Sequence, residues 1–179
     1  MAQPFEKQLD IIFIAGAPGT GKSTIAKCLQ SKFNTPCFEF GWIPEFQDRG
    51  DGNNIGYVEE ESLSFENLTL VIKNYIKNGF KNVIVTDLED KRISQIQKIY
   101  QNYNYIIVTL YTTDDDILKS RVLDASRTSG YREYKKAIDI NNVIINRKLY
   151  RNEVRLNSTE DSPDMISESV IQIINKLEK

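Results

Sequence analysis

The chain has 179 residues, enough for one domain with a substantial core, and its 27% charged and 40% hydrophobic residues are those of an ordinary globular protein. Lys and Arg number 23 against 25 Asp and Glu, a net charge of −2 without the basic excess of a protein that lives on nucleic-acid backbones, so no nucleic-acid partner is expected. There is no histidine, which excludes Ser–His–Asp and Cys–His catalysis and histidine-bound metals.

No segment approaches the ~18 uninterrupted apolar residues of a membrane span. The start, MAQPFEKQLD, lacks the basic-then-apolar layout of a signal peptide, so a cytoplasmic location is expected. Cys28 and Cys37 form no CxxC pair and are expected to be free thiols.

Residues 11–15, IIFIA, are a short continuous apolar run, as a strand buried on both faces should be. A helix is expected to follow to about residue 33, with Ile25, Ala26 and Leu29 inward. Residues 36–40 read as a second strand and residues 41 to about 61 as a long irregular stretch. Helical spacing returns at Ser64, with Leu68, Val71, Ile72, Tyr75 and Ile76 in register and Gly79 as the stop. Residues 82–87, NVIVTD, read as a third strand, and DKRISQIQKIYQNY as one helix with Ile93, Ile96 and Ile99 inward. Residues 105–111 read as a fourth strand. The helix after it has acidic residues in its first turn and basic ones later, which suits the helix dipole. A loop around RTSGY leads to a helix over about 134–150, then a fifth strand, EVRLN. Ser162 is expected to cap the last helix and Pro163 to occupy its first turn, with Ile166, Val170, Ile173, Ile174 and Leu177 facing the core. Strands alternating with helices imply an α/β fold with a parallel sheet covered on both faces. Its ligand site belongs at the carboxyl ends of the strands.

The first of those ends carries GAPGTGKST. Gly16, Gly21, Lys22 and Ser23 satisfy G-x-x-x-x-G-K-[ST], the P-loop or Walker A pattern, with a strand before it and an amphipathic helix after it. The glycines let backbone wrap an anion, and the loop of Gly16, Ala17, Pro18, Gly19, Thr20 and Gly21 forms the cradle through its N–H groups, which Pro18 lacks, and those of the helix start. Lys22 reaches the outer phosphates as a point charge, Ser23 is a magnesium ligand, and Thr24 is expected near the α-phosphate. ATP and Mg²⁺ are therefore the expected cofactors. A carboxylate is needed near the metal, and Asp87, closing the third apolar strand, fits that Walker B role. Glu39, at the end of the second strand, is a candidate for receiving an acceptor's hydroxyl proton or for binding the acceptor. Glu45, Trp42, Phe40 and Phe46 are further candidates for an acceptor pocket. The stretch over 41–61 is long for a structureless loop and reads as an acceptor-binding flap whose one cation, Arg49, would meet an anionic acceptor. Arg121, Arg127 and Arg132 bracket a glycine-containing loop where a lid over about 121–133 would close and meet the charge developing on the transferring oxygens.

On these residues the chain resembles the P-loop small-molecule kinase group that includes nucleoside monophosphate kinases, shikimate kinase, gluconate kinase and chloramphenicol phosphotransferase. The resemblance implies a three-layer P-loop NTPase fold over residues 1–179, with a five-stranded parallel sheet in the order 2-3-1-4-5. It also implies an acceptor region after the second strand and an arginine-bearing lid after the helix that follows the fourth. The turn after the fifth strand, with Ser158 and Thr159, is implied to touch the nucleobase. The segment TDLEDKR stands where adenylate kinases carry a D-G-F-P-R-like run. The absence of N-K-x-D, and of a glycine three residues after Asp87, argues against a GTPase switch. The function expected is ATP- and Mg-dependent phosphoryl transfer to a small molecule by a monomer or homodimer without a membrane partner. A nucleotide hydrolase or switch acting with a protein partner, and a non-catalytic nucleotide-binding module, are the alternatives.

Overall fold

The computed structural model describes residues 8–43, 49–126 and 129–177. Within them, strands β1 (Ile11–Gly16), β2 (Cys37–Glu39), β3 (Val83–Thr86), β4 (Tyr105–Tyr111) and β5 (Glu153–Asn157) form one sheet in the order β2-β3-β1-β4-β5. Every pairing in it is parallel, with Ile14 opposite Thr86 on one side and Val108 on the other. The helices are α1 (Lys22–Phe33), α2 (Tyr57–Lys77), α3 (Asp90–Ile93), α4 (Ile96–Ile99), α5 (Asp115–Leu123), α6 (Tyr134–Asn146) and α7 (Pro163–Lys176), with a 3₁₀ turn at Phe40–Trp42. The fold class, layer arrangement and strand order agree with the expectation.

The central strand shows why the sequence folds this way. Its side chains alternate between two apolar layers. Ile12 and Ile14 join Ile25, Ala26 and Leu29 of α1 and Ile166, Val170 and Ile174 of α7. Ile11, Phe13 and Ala15 join Phe65, Leu68 and Ile72 of α2 and Ile93 and Ile96 of α3 and α4. A strand buried on both faces has no room for polar alternation. Ser162 caps α7 as expected, its hydroxyl accepting from the Met165 amide at 3.3 Å with Pro163 in the first turn. Both cysteines are free thiols, and burial pushes the Cys37 thiol up to about 11, so it stays protonated at neutral pH.

Strands β1, β2 and β3 differ from the sequence reading by one residue at one or both ends, and three helical elements differ by more. Helix α2 starts at Tyr57 rather than Ser64, because the acidic run Glu59–Glu60 suits the positive end of the helix dipole even though Tyr57 and Val58 there are exposed. Residues 57–61, expected to be irregular, are therefore helical. The single helix expected after β3 is two short turns, α3 and α4. Its β-branched isoleucines are weak helix formers, and the Ser94 hydroxyl donates to the Lys91 carbonyl at 2.7 Å, competing with the helix ladder. Helix α6 ends at Asn146 rather than near Tyr150, because Arg147 turns extended to place its guanidinium between Asp90 and Glu153.

Candidate active site

The P-loop runs from the carboxyl end of β1 into α1. Gly16 (φ 138°) and Gly19 (φ 91°) are both required for two reasons, positive φ and close approach. A Cβ at Gly16 would stand 2.5 Å from the Leu110 carbonyl oxygen, and one at Gly19 would stand 2.8 Å from Val122 Cγ2 and 3.0 Å from Leu118 Cδ1. The loop backbone therefore lies directly on β4 and α5. Thr20 is buried, and its hydroxyl donates to the Ala17 carbonyl at 2.9 Å. Lys22 Nζ donates to the same carbonyl at 3.2 Å, so the lysine folds back over the loop. Gly21 (φ 94°) starts α1 with no side-chain cap, and no atom lies within 4 Å of the position a Cβ would take there. The amino end of α1 thus carries no side-chain cap, and the amides at such an end are donors suited to an anion. Ser23 is half-buried and Thr24 exposed on the first turn.

Next to this loop, β3 ends in Thr86, whose hydroxyl donates to the Ile14 carbonyl at 3.1 Å and fixes the two strand ends together. Asp87 follows, exposed and at φ 68°, a conformation aspartate tolerates better than most residues. Glu39 pairs with Thr86 across β2 and β3 and is half-buried. A Cβ at Gly41 would stand 3.5 Å from Asp87 Oδ2, so the segment after β2 passes beside that carboxylate. Glu39 and Asp87 therefore share the carboxyl edge that carries the P-loop.

The acceptor candidates are more scattered. Trp42 is 60% exposed on the 3₁₀ turn, whereas Phe40 packs edge-on against Phe65 of α2 and belongs partly to the core. Arg49 is exposed and paired with Glu59 at the start of α2. Glu45 and Phe46 lie outside the described residues. A small cleft is lined by Phe40, Gly41, Ile43, Tyr57, Glu60 and Glu61 with Ser64. Its wall is fixed by Arg92, a residue the sequence reading passed over. Arg92 is buried, donates to both Glu61 oxygens at 2.7 and 2.5 Å and lies over the Phe65 ring at 4.9 Å. Its hydrogen bonds hold the Glu61 carboxyl below the usual carboxylate range, against the opposing effect of burial. The only sequence signal for this clamp was a DKR charge run, which resembles any solvated helix face.

The other end of the site is the turn after β5. Ser158 and Thr159 are buried. The Thr159 hydroxyl meets Asn157 Oδ1, the Thr112 hydroxyl at 3.0 Å and the Thr113 amide at 2.9 Å. Asn141 of α6 holds Thr112 by its main chain on both sides, at 3.1 and 2.8 Å. Arg121 of α5 donates from Nη1 to the Ser158 carbonyl at 2.8 Å and from Nη2 to the Thr159 carbonyl at 2.9 Å. Arg132 donates from Nη1 to the carbonyls of Ser129 and Tyr131 and is exposed. Arg127 lies outside the described residues. Arg147, a further arginine of the late segment, is engaged with Asp90 and Glu153.

A family model described as chloramphenicol phosphotransferase-like protein matches residues 9–142. A search of curated proteins returns no match. Among solved structures, the chain is similar to a gluconokinase from Sinorhizobium meliloti 1021, with TM-score 0.63 and 12% identity over 95% of this chain and 92% of that one. It is also similar to a shikimate kinase from Acinetobacter baumannii in complex with shikimate, with TM-score 0.57 and 18% identity over 95% and 96% of the two chains. A tunicamycin resistance protein from Deinococcus radiodurans aligns with TM-score 0.58 and 13% identity over 94% and 96%. At these identities the three structures speak to the fold.

Proposed function

The chain belongs to the chloramphenicol phosphotransferase-like protein family, and on that premise we propose that it transfers a phosphoryl group from Mg-ATP to a small-molecule acceptor. The observation that carries the reading is the strand–loop–helix cradle at the carboxyl edge of the sheet, with Asp87 just past the end of the neighbouring strand β3. Its residues fit a triphosphate. The amino end of α1 has no side-chain cap, and Lys22 sits over the loop.

In this reading Gly16 to Thr24 bind the phosphates and Lys22 meets the outer ones. A bound divalent cation supplies charge neutralisation on the phosphate oxygens. Ser23 and Asp87 would hold it. Among the described residues no group of three His, Cys, Asp or Glu is assembled for a metal. Such a cation would complete its shell with phosphate and water, as magnesium does in kinase sites. Glu39 holds the acceptor or takes its hydroxyl proton, and Trp42, Glu45 and Arg49 are the further candidates for binding the acceptor. Residues 41–61 form the acceptor-binding segment and residues 121–133 the lid, where Arg127 meets the charge developing on the transferring oxygens. Positioning and electrostatics carry most of such chemistry.

The test is ADP release from Mg-ATP across nucleosides, nucleotides, sugars and sugar acids, shikimate-like acids, and chloramphenicol- or aminoglycoside-like compounds. The reading expects one class to raise ADP release well above the acceptor-free rate. ATP turnover that no acceptor stimulates and that Lys22→Ala leaves unchanged would overturn it.

A further inference from the structure

The turn that carries Asp87 is held on both sides. Thr86 before it is fully buried and donates to the Ile14 carbonyl at 3.1 Å, and Leu88 after it joins the apolar layer of Phe13 and Phe65. Asp87 between them is exposed at φ 68°, and a positive φ of that kind persists where the surroundings over-determine it. The next hold is at Asp90, which opens α3. Arg147 Nε donates to both Asp90 carboxylate oxygens, at 3.0 and 3.1 Å, and the Tyr150 hydroxyl donates to Oδ2 at 3.0 Å. The same guanidinium is anchored on its other side. Nη1 and Nη2 donate to the two Glu153 oxygens at 2.7 Å each, and Glu153 accepts from the Thr109 hydroxyl of β4 at 2.6 Å. Asp90 is thereby tied to β4 and β5, whose parallel pairing fixes the frame.

We infer, on the proposed reading that Asp87 holds the divalent cation of Mg-ATP, that Arg147 and Asp90 are positioning residues for the Asp87 carboxylate. Their ion pair fixes the start of α3 against β4 and β5, and so sets where the turn just before it presents Asp87. All five N–H donors of Arg147 are engaged, with Asp90, Glu153 and the Lys148 carbonyl. It therefore serves through what it holds, and not by meeting a phosphate. A planar guanidinium suits this task, because it holds two carboxylates in one fixed plane where a lysine is a point charge on a flexible stem. Magnesium tolerates little error in ligand placement, so a carboxylate fixed before the cation arrives binds it better than one on a loose turn.

The readout is the Mg²⁺ dependence of ATP affinity, from calorimetric titration of the full chain with ATP at several Mg²⁺ concentrations and in EDTA. Asp90→Asn keeps the side-chain size and loses the ion pair. It should raise the Mg²⁺ midpoint about three- to tenfold, below the ~10–100-fold effect of a group bonded directly to a metal ligand. ATP affinity in EDTA should stay within about twofold of wild type, since the P-loop is untouched. Tyr150→Phe removes one hydrogen bond to Asp90 and leaves every charge in place. It should shift the midpoint the same way by a smaller factor, and it supplies the test if Asp90→Asn folds poorly. Val170→Ala, a truncation in the opposite apolar layer, should lower the unfolding midpoint without moving the Mg²⁺ midpoint. In the Asp87→Asn background, Asp90→Asn should add no further shift. A shift that survives there, a like shift in Val170→Ala, or a wild-type Mg²⁺ midpoint in both network variants would overturn the inference. A wild-type midpoint in Asp87→Asn alone would instead overturn the metal reading, and the inference with it.

Discussion

Substituting Gly19 by alanine probes the contact between the P-loop and α5. The residue sits at φ 91°, and its missing Cβ would lie 2.8 Å from Val122 Cγ2 and 3.0 Å from Leu118 Cδ1. The backbone term, an L-residue at positive φ, costs about 1–2 kcal/mol. The overlap with two fully buried side chains adds about 1–3 kcal/mol of overpacking, since neither can swing into solvent. The sum is about 2–5 kcal/mol, a large part of the ~5–15 kcal/mol that typical domains possess. Gly21 is the internal control. Its φ of 94° is nearly the same, but no atom lies within 4 Å of the added methyl, so Gly21→Ala should cost the backbone term of about 1–2 kcal/mol alone. Urea unfolding of the two variants reads the difference as a shift in midpoint. Adding Val122→Ala to Gly19→Ala should recover part of the overlap cost, giving a favourable coupling in the double-mutant cycle. If the two glycine variants unfold within ~0.5 kcal/mol of each other, the usual scatter of additivity, the loop does not rest on α5 as described.

Lys22→Ala should lower acceptor-dependent turnover by at least about a hundredfold, the effect of removing one preorganised charge donor, while circular dichroism and unfolding midpoint stay close to wild type. Asp87→Asn keeps a residue that tolerates φ 68°, so its fold should persist. Its Mg²⁺ titration should shift to several-fold higher concentration, and a wild-type titration would remove Asp87 from the metal. Arg147→Ala leaves Glu153 buried without its bidentate partner and should cost about 3–5 kcal/mol of stability by urea unfolding. Burial pushes the Glu153 carboxyl up, but hydrogen bonds from Arg147, Thr109 and the Tyr150 amide outweigh it and hold the group below the usual carboxylate range. A depressed carboxylate contributes stability that is present above its unfolded value of ~4.3 and is lost as pH falls through the folded value. Melting temperature should therefore drop as pH falls below about 4 in the wild type, and drop less steeply in Glu153→Gln.

How far the sequence could be read depended on how local each signal was. The strand cores and the P-loop were legible because their information is contiguous: IIFIA is apolar throughout, and the glycines of GAPGTGKST sit where the backbone needs positive φ. The start of α2 was not, because Tyr57 and Val58 are exposed and show no periodicity, so only the dipole preference of Glu59–Glu60 marked it. The Arg92–Glu61 clamp joins residues 31 apart and the Arg121 contact residues 37 and 38 apart, and no local pattern encodes either pairing. The late arginines show the limit most clearly. Arg121, Arg132 and Arg147 look alike in sequence, yet one holds a turn, one folds onto its own loop and one fills a buried ion-pair network.

The central claim is that the phosphate leaves ATP for an organic acceptor rather than for water. Incubating the protein with γ-labelled ATP, Mg²⁺ and the acceptor classes named above, and separating the products, follows the label directly. The account predicts label on an organic acceptor, in amounts matching the ADP formed, and its loss in Lys22→Ala. Label recovered solely as inorganic phosphate, at a rate indifferent to every acceptor, would contradict it.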